Sequence, residues 1–244
     1  MSRLNSVQTV NSKLTELADR ARELFPPGRN NLRASADWYR IENADGERAE
    51  LFIYGAIGSD WDDGDVTASQ FVRDLRNITA SSLDLHINSP GGLVFDGVAI
   101  YSALKNHAAS VDVYVDGIAA SAASFVAMAG DSVTIEKPAK MMIHDARGLV
   151  LGNASDMTEM AGLLDELSNT IAGIYADRAG GEIGTWRDRM RAESWFSASQ
   201  AVEAGLADRV ANDVAPESDT QTSAPESRAG QMVRARARVS LGRG

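Results

Sequence analysis

From residue 49 to residue 136 the chain switches repeatedly between two hydrophobic patterns. "AELFIYGAIG" is rich in β-branched and aromatic residues and stops at Gly55 and Gly58, while "SLDLHIN" and "SVDVYVDG" alternate apolar with polar positions, the period of a half-buried strand. Between these runs, "TASQFVRDLRNI" puts Phe71, Val72, Leu75 and Ile78 on one helical face, and "FDGVAIYSALKNH" also reads as a helix. "SFVAMAG" predicts a further helix, "DSVTIE" a strand, and "AKMMIHD" a short strand ending at a histidine. Strands separated by helices fold as an α/β domain around a mainly parallel sheet. That is the constraint every later reading must satisfy.

The periodicity continues beyond the sheet. Met157, Met160, Leu164, Leu167, Ile171 and Ile174 recur at helical spacing, so a helix is expected over about 154–178, ended by Gly180 and Gly181. "FSASQAVEAGLADRV" reads as a capped helix with Ser197 or Ser199 as N-cap and Gly205 near its stop. Residues 1–36, which meet the breaker cluster "FPPGRNN", read as an arm or propeptide. Residues 37–213 are then a single domain, and residues 214–244, poor in apolar side chains, are an expected disordered tail.

Charge follows the same division. The two arms carry +3 and +2 of a formal net charge of −10, leaving −15 on the body. An acidic body speaks against nucleic acid as the main partner. With no cysteine there is no disulfide frame, thiolate nucleophile or Cys-ligated metal. No apolar run reaches the roughly 18 residues that span a bilayer, and "MSRLNSVQTVNSKL" lacks the apolar centre of a secretory signal. The expectation is a cytoplasmic protein without membrane contact.

Two stretches are candidates for chemistry. "INSPGGLVFDG" sets Pro90, Gly91 and Gly92 where a strand gives way to a helix, and backbone N–H groups there suit a peptide or a developing oxyanion. "VDGIAASAASFVAMAG" carries Ser121 and Ser124 among small residues at a strand-to-helix junction. Small residues also serve close helix packing, so the run is ambiguous by itself. As a nucleophile, Ser121 would sit at the positive end of the helix, with the Ala122 N–H beside it. Ser124, one turn further in, is better placed to pack or to bond a carbonyl. Of three histidines, His86 lies within a strand and His107 ends a helix, whereas His144 enters a loop from which a side chain can reach a cleft.

In order and spacing, PGG, G-x-A-A-S, M-I-H and the "SASQAVEAGLAD" helix resemble the Clp peptidase (ClpP) family, closest to its phage branch of head maturation (prohead) proteases. The likeness covers about residues 37–212 and neither arm. It implies a ClpP/crotonase-like fold of repeated β-β-α units, with a protruding helical handle at 154–178 that joins homo-oligomeric rings. It implies a serine endopeptidase acting on protein or peptide, with capsid or scaffold protein the expected substrate, and no metal or organic cofactor. The family's nucleophile falls on Ser121 and its base on His144, with oxyanion donors from Ala122 and from Gly91 or Gly92. The third member departs from the family's Asp: ungapped alignment puts Glu193 there, with Trp195 expected to shield it, and with Asp188 and Asp145 as alternatives. Rival readings are a catalytically silent ring protein, a crotonase-type acyl-CoA enzyme, and a Ser–Lys peptidase.

Overall fold

A computed structural model describes residues 38–43, 47–58 and 67–212. The expected arm (1–36) and tail (214–244) therefore lie outside the described residues. Strand β1 (Tyr39–Glu42) runs antiparallel to β2 (Arg48–Tyr54), and from β2 onward the sheet is parallel through β3 (Ser82–Ser89), β4 (Ser110–Ala120), β5 (Ser132–Ile135) and β8 (Arg209–Val210). The mainly parallel α/β architecture is thus present.

Helix α1 (Ala68–Arg76) starts where the Thr67 side chain accepts from the Gln70 N–H, and it buries Phe71 and Leu75. Helix α2 (Val94–Lys105) follows β3 and buries Ile100 and Leu104. Alternation along the strands explains the core: Leu51, Ile53, Leu83, Leu85, Ile87, Val111, Val113 and Val115 are buried in one cluster with Phe71, Leu75, Ile100 and Leu104.

The strand β4 sets up the site. Its first half pairs with β5 over Asp112–Val115, and its second half pairs with β6 (Lys140–Ile143) over Ile118–Ala120. The pattern "SVDVYVDG" predicts a stop at Gly117, but the strand runs on to Ala120 after a register shift against β3 between Ile87 and Ser89. At that shift a Cβ on residue 117 would lie 2.7 Å from Asn88 Oδ1, so glycine here is a close crossing within the strand.

Beyond β6 the chain forms α4 (Ala154–Ala179), capped by a reciprocal Asn153–Asp156 box and ended at Gly180. Its second half buries Ser168, Ile171, Ala172 and Tyr175, while most of its first half is exposed, Met157 and Leu163 included. Helix α5 (Ile183–Arg191) was not legible in the sequence, nor was β7 (Ser194–Ser197), which pairs antiparallel with β6. Ser197 caps α6 (Ala198–Glu203), so the segment read as one helix is a strand, a short helix and β8.

Candidate active site

Ser121 stands between β4 and α3 (Ala122–Ala127), with φ 52° and ψ −123°. A non-glycine residue with positive φ is strained by about 1–3 kcal/mol, and such strain needs the surroundings to hold it. Three hydrogen bonds do so. The Ser121 N–H donates to the Met142 carbonyl at 2.9 Å, and its own carbonyl accepts from the Ser124 N–H at 3.0 Å and from Ser124 Oγ at 2.6 Å.

Strand register then delivers the histidine. Ala120 pairs with Met142, so His144, two residues past Met142, emerges beside Ser121, and its Nε2 lies 2.7 Å from Ser121 Oγ. Burial lowers the His144 pKa from its ordinary value, and the Arg147 cation lowers it further, against the opposing pull of Glu193 and Asp145. A neutral imidazole is the form that accepts a proton from a hydroxyl.

The glycine pair closes the other side. A Cβ at Gly91 (φ +93°) would meet the Ala120 carbonyl oxygen at 2.6 Å and both Ala122 N and Ser121 Cβ at 2.7 Å, so the PGG loop lies directly against the serine turn. The Gly91 N–H is already committed to Ser89 Oγ at 3.1 Å. Ile57 bonds to the residues on either side of Gly92, donating to the Gly91 carbonyl and accepting from the Leu93 N–H. In such a parallel bridge the N–H of Gly92 itself points away from Ile57. Of the two glycines offered by the sequence, Gly92 is the one with an N–H to spare. Ser121, His144 and Gly92 share a cleft of about 120 Å³ whose apolar wall is Val94, Phe125, Ile171 and Tyr175.

Small residues from Ala119 to Ala123 serve both roles raised by the sequence. Ala119, Ala120, Ala122 and Ala123 are buried, and a Cβ on Gly97 of α2 would press on Phe125 and Ala122 of α3. Tight packing brings the serine turn to the cleft.

The carboxylates are arranged differently from the expectation. None of the three candidates meets His144 Nδ1, which is buried without a hydrogen-bond partner among the described residues. Arg147 Nη2 donates to Glu193 Oε2 at the cleft rim. Asp188 is exposed and bonds to Arg191 at 3.1 Å. Asp145 lies 3.4 Å from the buried Arg187, whose stronger bond is to Asp165 at 2.7 Å. Trp195 is itself 51% exposed and leaves Glu193 open to water, so it supplies no shield. The sequence did not single out Arg147 or Arg187; an arginine three residues past a candidate histidine is too common a pattern to mark either.

The other histidines have structural partners. His86 Nδ1 lies 3.0 Å from Asp116 Oδ2 and stacks between Phe52 and Tyr114. His107 Nε2 bonds the Leu75 carbonyl at 3.2 Å while its Nδ1 accepts from the Ala109 N–H.

A strained serine bonded to a neutral histidine at the mouth of an α/β sheet is the arrangement of a serine peptidase, and that is the class of this enzyme. A family model described as Clp protease matches residues 35–214, and the chain belongs to the Clp protease family. Three curated relatives carry the name ATP-dependent Clp protease proteolytic subunit, the last as subunit 1. The one from Pleurastrum terricola is 35% identical over 129 residues, 52% of this chain and 66% of the relative. The one from Chlorella vulgaris is 30% identical over 185 residues, 73% of this chain and 89% of the relative. The one from Protochlamydia amoebophila is 29% identical over 181 residues, 71% and 85%. Among the described residues no helix is long and apolar enough to cross a membrane.

Proposed function

We propose that the chain is an endopeptidase in which Ser121 Oγ attacks the scissile carbonyl and His144 Nε2 takes the serine proton, then returns it to the leaving amine. The 2.7 Å contact between Oγ and Nε2 carries this reading. The N–H groups of Ala122 and Gly92 face the developing oxyanion. For Nε2 to accept, the neutral ring must hold its proton on Nδ1, a buried donor that then lacks an acceptor. Glu193 is the carboxylate we assign to that donor. It reaches Nδ1 by leaving Arg147, and its charge already acts on His144 from the rim.

The substrates we assign are capsid or scaffold proteins of a maturing phage head, cleaved by a homo-oligomeric ring. Support for this comes from the likeness to the phage branch and from the exposed first half of α4, which offers Met157 and Leu163 to a partner subunit. A second reading takes its support from the relatives, each named as a subunit of an ATP-dependent protease: the ring would then work with a separate ATPase. Incubation with a capsid precursor alone and mass analysis of the fragments separates the two. Ser121→Ala should abolish cleavage and covalent labelling by a fluorophosphonate, at a cost of several orders of magnitude in rate, while Ser124→Ala keeps its label. Cleavage by the Ser121→Ala protein would reject the serine mechanism; failure of a fluorophosphonate to label Ser121 in the unaltered protein would favour a silent assembly role, and acyl-CoA turnover retained by Ser121→Ala a crotonase-type enzyme.

A further inference from the structure

Behind Ser121 lies a hydrogen-bonded pair that the proton transfers do not use. Ser124 is fully buried, and its hydroxyl carries one proton. That proton goes to the Ser121 carbonyl, an acceptor only, at 2.6 Å. The remaining contact of Ser124 Oγ, 2.8 Å to the Tyr175 hydroxyl, is therefore a bond that Tyr175 donates. Tyr175 lies on α4, is 1% exposed, and also forms part of the cleft wall. Burial holds its pKa above the usual phenol range, so it remains a donor across the working pH.

The Ser121 carbonyl and the Ala122 N–H belong to one peptide unit. A trans peptide is planar, and its C=O and N–H point in opposite directions. Anchoring the carbonyl oxygen therefore aims the N–H. Two donors from Ser124, its N–H and its hydroxyl, draw that oxygen away from the cleft, which turns the Ala122 N–H toward it. The same bonds keep Ser121 at its strained φ of 52°.

We propose that Tyr175 and Ser124 are positioning residues that hold the Ser121–Ala122 peptide so that its N–H meets the oxyanion of the transition state. The proposal rests on the Ser121 mechanism above and extends it to a residue of α4, 54 positions along the chain. The two hydroxyls of the relay bond to each other and to the Ser121 carbonyl, and neither bonds to the reacting Ser121 Oγ. The relay's effect is on the transition state, where the carbonyl oxygen gains charge, and hardly on the bound peptide.

The test compares the full-length protein with Tyr175→Phe, Ser124→Ala and the double variant, each single change removing one oxygen. Steady-state cleavage of a fluorogenic peptide is measured beside inhibition by the matching peptide aldehyde, whose serine adduct carries the oxyanion. Loss of a whole oxyanion donor costs about a hundred- to a thousand-fold, and a misaimed one less, so each variant should lose about ten-fold in kcat. KM should stay within about two-fold, and aldehyde inhibition should weaken by about the same factor as kcat. Because both residues act through one bond to Ser121, the double variant should be no slower than Ser124→Ala. A purely structural role would lower the melting temperature but leave kcat and aldehyde affinity of the folded protein alone. Unchanged kcat, losses that multiply in the double variant, or a loss confined to KM would each overturn the proposal. Cleavage by Ser121→Ala in the same assay would instead reject the mechanism beneath it.

Discussion

Arg147 holds the Glu193 carboxylate at the rim of the cleft, while the buried Nδ1 of His144 has no partner among the described residues. The same pattern recurs at the other candidate acids: Arg191 takes Asp188, and Arg187 stands beside Asp145. Every carboxylate that the sequence offered to the histidine is shared with an arginine. Competition between a guanidinium and an imidazole for one carboxylate becomes the central question about turnover.

Substitution of each acid separates them. Glu193→Gln should lower kcat by roughly two to four orders of magnitude with little change in folding, because the imidazolium formed during attack loses its counter-charge. Asp188→Asn, which breaks only an exposed pair with Arg191, should stay within about two-fold. Steady-state kinetics at saturating peptide decide the ranking, with assembly checked for each variant. A large loss in Asp145→Asn with none in Glu193→Gln would move the acid next to the histidine.

The pH profile has a definite sign. His144 titrates below its ordinary value of 6.5, chiefly through burial, so the acid limb of kcat/KM should fall below that pH. Removing the nearby cation in Arg147→Gln takes away an influence that lowers the pKa, and the limb should move to higher pH. A shift the other way would mean that Arg147 acts mainly by restraining Glu193. For stability, a histidine whose folded pKa is depressed contributes nothing above the unfolded value of 6.5. As pH falls below that value the unfolded chain takes up the proton first, and stability is lost until the folded pKa is passed. Denaturant melts at a series of pH values would show the slope, and His144→Gln should flatten it.

Gly91 should be the least replaceable residue of the PGG loop that does no chemistry. Alanine there would need a left-handed φ and would place its methyl 2.6 Å from the Ala120 carbonyl. Gly91→Ala should lose activity with a lowered melting temperature, read by differential scanning calorimetry beside peptide cleavage. Full activity would mean that the loop can move off the serine turn.

Assembly should depend on the first half of α4. Light scattering is expected to report a mass many times that of the 26.1 kDa chain, and Met157→Glu with Leu163→Glu, both exposed in the isolated chain, should reduce it. An active monomer would contradict the ring.

Much of this was legible before the fold. Alternating periods were enough for the parallel sheet, because strand and helix patterns are local and strong where the core is apolar. Ser121 and His144 were legible because both sit at ends of such strands. The course of β4 past Gly117 was not, since the register shift depends on Asn88 of the neighbouring strand. Helix α5 escaped because it buries only Trp186, Arg187 and Met190, too few apolar residues to show a period. The setting of the candidate carboxylates was the least legible part. Their partners are arginines brought close only by folding, and residue spacing says nothing about which cation arrives first.

The two halves of β4 have a consequence for how this enzyme can change over time. Serine and histidine hang from one ladder, Ile118–Ala120 against Lys140–Met142, so their spacing is a property of backbone pairing and survives almost any exchange of surface side chains. Glu193 instead occupies a left-handed corner (φ 49°) between α5 and β7, and its reach is set by its own rotamers and by whichever cation stands nearby. Exchange of one arginine at the rim would therefore change the setting of Glu193 and leave the Ser121–His144 pair untouched.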